Sequence, residues 1–218
     1  MLKNTLVNSL IAPVLLAFII TSCASSRSIS STQGSKFTSQ QEQLIMAADT
    51  NTPMRVFKIT RKDDSVLLRT QSQAIKVDPN DPVLQTFIKR LYRTVRDSLS
   101  LGVGIAAPQV GILKNIIWVQ RLDKEDLPFE VYLNPKIIQY TKRKQDCLEG
   151  CLSIPDRRDT TKTRAYAILV EYDLPDNTHK IEMIEDFTAV IFQHEIDHLN
   201  GILYLDHLKK EVRDAKNQ

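Results

Sequence analysis

The sequence predicts a single α+β domain in which β-strands pack around one central helix. Three observations support this fold class. An amphipathic helical pattern follows residue 81, a second helical pattern runs toward residue 201, and four short strand-like segments lie between them. The four segments are Ile116–Gln120, Val131–Asn134, Ala165–Tyr172 and Lys180–Met183. Roughly 150 ordered residues are enough to bury one hydrophobic core.

The first helix is predicted to begin after a turn rich in aspartate and proline. Asp81 suits the N-cap position, and Pro82 suits the first helical position because proline lacks the N–H that would stay unpaired there. The apolar residues that follow recur at helical spacing; they are Val83, Leu84, Phe87, Ile88, Leu91, Val95 and Leu99. This spacing predicts an amphipathic helix with one face in the core.

The second helix carries the sequence His194-Glu195-Ile196-Asp197-His198. Its apolar pattern comprises Phe187, Val190, Ile191 and Ile196, and Asn200-Gly201 supplies a stop signal. Residues four apart lie on one helical face with Cβ atoms about 5–6 Å apart, so the two histidines can hold one divalent ion. Glu195 is rotated by about 100° around the helix from His194. We therefore expect Glu195 to meet water at the ion rather than the ion itself.

Two further segments fit a site around such an ion. Glu149–Pro155 has the sequence E-G-C-L-S-I-P and offers the thiol of Cys151 in a turn or at a strand edge. A catalytic zinc-type site uses three protein ligands and leaves one position open for water. Gly102–Gly111 holds three glycines and two alanines beside one long polar side chain, Gln109. Such a composition suits a backbone that approaches a ligand closely.

Together these three segments closely resemble the peptide deformylase family, the metallohydrolases that remove the formyl group from N-formylmethionyl peptides. The family is marked by G-x-G-x-A-A-x-Q, E-G-C-L-S and H-E-x-D-H. All three motifs occur here in this order without a substitution, at Gly102–Gln109, Glu149–Ser153 and His194–His198. The resemblance extends from about Met54 to about Leu208. It implies a peptide-deformylase-like domain that releases formate through attack of metal-bound hydroxide on the formyl carbon.

The resemblance implies that the metal ligands are Cys151, His194 and His198. It also implies one divalent metal per chain, with Fe²⁺ in first place and Zn²⁺, Ni²⁺ or Co²⁺ as alternatives. A thiolate beside two imidazoles suits each of these ions, so the sequence does not choose among them. Metal binding lowers the pKa of water from 15.7 to about 7, which supplies hydroxide near neutral pH.

The resemblance assigns further roles around the metal. Glu195 is implied to act as general base and then as general acid toward the leaving amine. Gln109 and the backbone N–H of Leu152 are implied as donors to the oxyanion of the tetrahedral intermediate. Gly104 is implied to hold the substrate by backbone contact, and Arg158 fills the position of an arginine that meets the peptide backbone.

Other polar residues near the motifs receive structural roles. Asp197 is expected to pair with an arginine, as it does in the family, and Arg164 is the candidate. Glu149 is expected to order the loop that carries the cysteine ligand. His179 and His207 lie outside the motifs, and we expect both to be surface or capping histidines rather than ligands.

Cys147 lies four residues before Cys151. It fits a buried apolar position. In an oxidising compartment the alternative is a disulfide with Cys151, which would destroy the metal site. The sequence leaves both alternatives open.

The N-terminus predicts export. Met1–Lys3 is a short basic start, and the apolar run Leu10–Ile20 is too short for a bilayer span of about 20 residues but fits a signal peptide. Ile20–Cys23 resembles the lipobox of bacterial lipoproteins, which implies cleavage before Cys23, its lipidation and stable membrane attachment. An uncleaved anchor or a fortuitous apolar start is the alternative, and the protein would be cytoplasmic if the signal were not used.

These features predict three regions: a lipoprotein-type signal peptide at 1–22, a lipidated cysteine and flexible linker at 23–53, and the catalytic domain at 54–218. Residues 24–53 are rich in Ser, Thr and Gln and poor in apolar side chains, which is typical of a linker, and a short helical turn fits Gln43–Ala48. We expect a monomer, lipid-anchored in the cell envelope, that acts on N-formylated peptides or protein N-termini.

The formal net charge of +3 argues against nucleic-acid binding, which usually needs a basic patch or stripe.

Three alternative functions stay open. Asp156–Arg164 is more polar than the corresponding segment of the family, and export would separate the protein from the ribosome, so another N-acyl amide is one alternative substrate. The H-E-x-x-H signature of metalloproteases is also present, but those enzymes usually take their third ligand downstream of the helix, whereas Cys151 lies upstream. A non-catalytic surface lipoprotein that uses the fold for binding is the third. Glu195 and Gln109 argue against it, because a binding module needs neither a base nor an oxyanion donor.

Overall fold

A computed structural model describes residues 34–97 and 102–217. The predicted signal peptide at 1–22, the predicted lipidation site Cys23 and the first part of the predicted linker lie outside the described residues. Within the described ranges, no helix combines the length and the apolar character that a membrane crossing needs.

Five α-helices, one 3₁₀ helix and seven β-strands make up the described part of the chain. In chain order they are α1 (Ser39–Met46), α2 (Lys62–Leu68), α3 (Pro82–Val95), β1 (Gly104–Ala106), the 3₁₀ helix (Ala107–Val110), β2 (Ile116–Gln120), β3 (Phe129–Tyr140), β4 (Lys144–Cys151), β5 (Ile154–Ala165), β6 (Ala167–Asp173), β7 (His179–Glu185), α4 (Asp186–Leu199) and α5 (Tyr204–Lys216). The strands form an antiparallel five-stranded sheet of order β1-β2-β3-β6-β7 and a two-stranded hairpin of β4 and β5.

Helix α4 is the element around which the strands are arranged. It contacts strands of the five-stranded sheet and also both strands of the β4–β5 hairpin. Ala189, Phe192 and Ile196 lie in the core, and the Phe192 ring packs edge to face on Tyr132 with centroids 4.6 Å apart. The helix ends where Gly201 adopts a left-handed conformation with φ of 70°, as the stop signal predicts. The predicted α+β fold with a central helix is confirmed.

Helix α3 begins as its sequence predicts. The Asp81 carboxylate accepts hydrogen bonds from the N–H groups of Val83 and Leu84, and Pro82 is the first helical residue. Phe87 and Leu91 are fully buried on its inner face. The helix ends at Val95, and Leu99, the last residue of the predicted apolar pattern, lies outside the described residues.

The segment 34–53 was predicted to be flexible, and the structure corrects this. It contains helix α1, and the side chains of Phe37 and Ile45 are buried in the core. Phe37 packs edge to face on Phe87, and the buried Arg90 guanidinium donates to the carbonyl oxygen of Ile45 at 2.7 Å. Residues 34–53 therefore belong to the packed domain. The buried side chains of Phe37 and Ile45 anchor this segment in the core, although its polar composition is typical of a linker.

The strand predictions hold in outline. Strand β2 has the predicted bounds, β3 and β7 are longer than predicted, and the predicted strand Ala165–Tyr172 is divided between β5 and β6. The β4–β5 hairpin was not predicted as two strands, because its residues are mostly polar and its outer positions face solvent. This hairpin matters most for function, since β4 ends at Cys151.

Candidate metal centre

Three soft or borderline donors meet between the hairpin and α4. Cys151 is the last residue of β4, and His194 and His198 lie one turn apart on α4. Their ligating atoms all lie within 4.8 Å of one another, and Cys151 Sγ is 3.2 Å from His198 Nε2. One thiolate and two imidazoles at this spacing fit a divalent ion that keeps a position open. The structure thus brings together the three residues that the sequence predicts as ligands.

The surroundings favour the ligating form of Cys151. Burial alone would raise the pKa of its thiol, but the charge of His198 and hydrogen bonds with both histidine rings hold this pKa well below its usual value. Glu149 Oε2 accepts a hydrogen bond from His194 Nδ1 over 2.8 Å. This contact leaves Nε2 of His194 as the nitrogen available to a metal.

A buried charge network lies behind the ligands. The Arg164 guanidinium, only 2% exposed, donates to Glu149 at 2.9 and 2.8 Å and to Asp197 at 2.6 Å. The Thr161 hydroxyl also donates to Glu149. Burial would raise the pKa of Glu149, but the hydrogen bonds from His194 and Arg164 hold it well below its usual value. The predicted pairing of Asp197 with Arg164 is confirmed, and the network fixes the orientation of His194.

Glu195 faces the cleft from α4 and is almost fully buried. Within the described residues, its Oε2 atom has no hydrogen-bond partner. Burial raises the pKa of Glu195 to about 7, against the opposing effect of the charges of His194 and His198. A Cβ atom at Gly104 would lie 2.5 Å from Glu195 Oε1. Gly104 therefore leaves room for the Glu195 carboxylate. Because its Oε2 is unpaired in the described part of the chain, this carboxylate can exchange a proton with a molecule bound in the cleft.

Gln109 is held rigidly beside the cysteine by the 3₁₀ helix. Its Oε1 accepts a hydrogen bond from the Ala106 N–H at 2.8 Å. Its Nε2 is 3.2 Å from Ser153 Oγ and 3.7 Å from Cys151 Sγ. Leu152 and Ser153 form the turn between β4 and β5. The Gln109 amide, one predicted oxyanion donor, therefore contacts the turn that carries the other, the Leu152 backbone.

A cleft of about 720 Å³ opens onto these groups. Its walls are the segment 102–104, the β4–β5 hairpin and the first turns of α4; the apolar side chains that line it are Val103, Leu148, Leu152, Ile154, Pro155, Phe187, Val190 and Ile191. The exposed side chain of Arg158 also lines the cleft, across from Gly150 in the hairpin pairing. The predicted substrate-binding residues Gly104 and Arg158 thus both border this cleft.

One histidine outside the motifs lies beside the site. His207 is expected from the sequence to be a surface or capping histidine rather than a ligand; in the structure it is half-buried, its Nε2 is 2.8 Å from Asp197 Oδ2, and it lies within the Arg164 network. His179 is on the surface as expected, where it pairs with Asp173. Two further contacts were not predicted: the Ser153 hydroxyl on Gln109, and the Tyr204 ring, which stacks on His194 with centroids 6.1 Å apart. Only Ser153 had a sequence signal, since it ends the E-G-C-L-S motif.

The structure decides between the alternatives for Cys147. The residue is buried, and burial raises the pKa of its thiol to about 11. It lies in β4 four residues before Cys151, so the two Cα atoms are about 13 Å apart at the usual rise of a strand. A disulfide needs Cα atoms within about 7 Å. The buried apolar role is confirmed, and the predicted alternative of a Cys147–Cys151 disulfide is wrong.

Comparisons with known proteins agree with this geometry. The family described as polypeptide deformylase matches residues 56–214. A peptide deformylase from Desulfotalea psychrophila is 37% identical over 163 residues, which are 74% of this chain and 92% of the relative. One from Desulforudis audaxviator is 36% identical over 155 residues, covering 70% of this chain and 94% of the relative.

Solved structures resemble the chain as well. A crystal structure of class I type b peptide deformylase from Acinetobacter baumannii with Met-Ala-Ser bound superposes with a TM-score of 0.63 at 32% identity, over 72% of this chain and 99% of that one. Peptide deformylase from Thermotoga maritima gives a TM-score of 0.61 at 30% identity, over 71% and 97% of the two chains. The matched part of this chain includes the three candidate ligands, Gln109 and Glu195.

Proposed function

Because the chain belongs to the peptide deformylase family, we propose that its cleft removes the N-formyl group from formyl-methionyl peptides and releases formate. One observation carries this proposal. Cys151, His194 and His198 converge within 4.8 Å, while the buried Glu195 carboxylate and the Gln109 amide lie beside them. A divalent-metal hydrolase needs this combination of ligands, proton carrier and oxyanion donor.

The residues divide the chemistry among them. When bound, the divalent metal supplies Lewis acidity that activates water for attack on the formyl carbon. Glu195 takes the proton that the water loses and returns it to the nitrogen of the leaving amine. The Gln109 amide and the Leu152 N–H donate to the former formyl oxygen as it gains negative charge. Glu149 and Arg164 keep His194 in the ligating orientation.

The metal itself is proposed from the family resemblance. We propose one Fe²⁺ per chain, with Zn²⁺, Ni²⁺ and Co²⁺ as substitutes, since a Cys-His-His set suits all four ions. Elemental analysis of protein purified without oxygen tests this proposal. Iron at about one atom per chain supports it, and a different metal at that occupancy contradicts the choice of Fe²⁺.

A series of acyl peptides tests the proposed substrate. Formyl-Met-Ala-Ser is expected to release formate, whereas acetyl-Met-Ala-Ser is expected to be cleaved far more slowly. Faster cleavage of the acetyl peptide would instead support hydrolysis of other N-acyl amides. Degradation of casein would support the metalloprotease alternative.

Replacement of Gln109 by leucine is expected to lower kcat for formyl-Met-Ala-Ser by about 10²–10³-fold, because loss of one oxyanion donor costs about that much. Leucine keeps the approximate size of the side chain but cannot donate to the oxyanion. Gln85→Leu, on the exposed face of α3, is the matched control and is expected to keep wild-type kcat. Retention of wild-type kcat in Gln109→Leu would exclude the donor role.

We also propose that Cys23 is lipidated and anchors the domain in the cell envelope, where it would act on formylated peptides. The lipobox-like sequence Ile20–Cys23 supports this proposal. Cells that express the full chain with a palmitate analogue are expected to label the protein, and Cys23→Ala is expected to lose both the label and the membrane fractionation. Cys147→Ala is expected to keep the label. Absence of label in the wild-type chain would contradict the anchor.

We also expect the protein to be a monomer. Light scattering would test this prediction.

A further inference from the structure

Lys58 and Arg158 are two of the three described cationic side chains that line the cleft. Among residues 34–97 and 102–217, neither forms a salt bridge with an acidic side chain. Arg157 also borders the cleft, but its charge is compensated by Asp159 at 2.6 Å. The cleft therefore presents two cations that have no partner within the described protein.

Lys58 is placed at the cleft by the backbone on both sides of it. The Phe57 N–H donates to the carbonyl oxygen of Gln109 at 2.7 Å, and the Ile59 N–H donates to that of Ser153 at 3.0 Å. The Lys58 N–H itself donates to the Asp64 carboxylate at 3.0 Å. These bonds tie the segment 57–59 to the two elements that carry the oxyanion donor and the ligand turn. The half-buried Lys58 side chain thus belongs to the site, although no sequence motif indicates it.

The acidic groups of the cleft do not cancel these two cations. The charge of Glu149 is compensated by Arg164, and Glu195 is buried at the reacting centre. Asp156 is the remaining acidic residue on the cleft wall, and it is exposed. A carboxylate on the bound peptide would therefore gain two favourable partners against one unfavourable one.

Building on the proposed function, we propose that Lys58 and Arg158 select formyl peptides that carry a carboxylate downstream of the methionine. This carboxylate has two sources: the free C-terminus of a short peptide, or an acidic side chain. Cations at a partly exposed cleft attract such a group by Coulomb interaction, and salt weakens this attraction. The preference distinguishes short, acidic peptides from long chains with basic side chains after the methionine.

Three peptides separate these sources: formyl-Met-Ala-Ser, its C-terminal amide, and the amide of formyl-Met-Ala-Glu. We expect kcat/KM to be about two- to fivefold higher for the first and third peptides than for the neutral amide at low salt, since exposed ion pairs contribute that much. If only formyl-Met-Ala-Ser has the higher kcat/KM, the preference is for the free C-terminus. In Lys58→Gln the advantage is expected to shrink, whereas Lys180→Gln, an equal charge change on edge strand β7, is expected to preserve it.

Binding provides a second readout. The Kd of the product Met-Ala-Ser is expected to be lower than that of its amide, and the difference is expected to shrink in Lys58→Gln. Formate release at equal kcat/KM from all three peptides would overturn the carboxylate preference and leave the proposed function intact. Absence of formate from every peptide would contradict the proposed function, and this inference with it.

Discussion

Glu195→Gln is expected to lower kcat for formate release by about 10²–10⁴-fold, the usual contribution of a general acid–base group, while one metal per chain stays bound. Glutamine has nearly the same shape as glutamate but cannot accept and return a proton. The carboxylate is buried against Gly104 and lies beside the ligands without contributing a donor atom to their cluster. Its replacement therefore separates proton transfer from metal binding.

The measurement combines steady-state formate release with elemental analysis of the same sample. Glu185→Gln makes the same chemical change at an exposed position just before α4, and it is expected to leave kcat unchanged. A Glu195→Gln protein with full metal content and near wild-type kcat would rule out the acid–base role. Loss of metal from this variant would instead identify Glu195 as a ligand.

Arg164→Met is expected to lower the free energy of unfolding by about 3–5 kcal/mol, because removal of one partner leaves the other charges of a buried pair uncompensated. Arg164 is 2% exposed and bridges Glu149 to Asp197. Methionine fills part of the volume but donates no hydrogen bond. Urea-induced unfolding of the wild-type and variant proteins gives the difference.

The same variant is expected to weaken metal binding, because Glu149 also holds the ring of His194 and loss of such supporting contacts typically costs about 10–100-fold in affinity. Arg157→Met is the matched control for stability. Arg157 lies on the same strand and pairs with Asp159, but its side chain is 52% exposed, so its loss is expected to cost less than about 1 kcal/mol. Equal destabilisation by the two variants would show that the buried network contributes no more to the free energy of unfolding than the exposed Arg157–Asp159 pair.

The fold could be predicted where the local pattern and the tertiary environment agree. Helix α3 has a capping aspartate, a proline at its first position and an apolar stripe that faces the core. Helix α4 and strand β2 carry similarly strong signals. The β4–β5 hairpin has weak ones, because its strands pair mainly with each other and expose many polar side chains. The packing of residues 34–53 depends on contacts of Phe37 and Ile45 with core residues that lie far away along the chain. No local sequence pattern predicts these contacts.

The site shows the same division. The candidate ligands, the Glu195 carboxylate and the Gln109 amide lie in three short sequence motifs, each of them continuous in the chain. They could therefore be predicted from the sequence alone. Lys58 reaches the cleft from a segment that lies far before the three motifs in the chain, and His207 lies on α5, just beyond the last motif. Neither has a neighbour of distinctive composition, and only the tertiary structure places His207 on Asp197 and Lys58 at the cleft.

The most direct test of the metal-dependent deformylase is formate release from formyl-Met-Ala-Ser by the purified full chain, measured as Fe²⁺ or Ni²⁺ is added to the metal-free protein without oxygen. We expect no release without metal and a rate that rises in proportion to bound metal up to one ion per chain. A chain that binds one ion at Cys151, His194 and His198 and releases no formate would contradict the deformylase function.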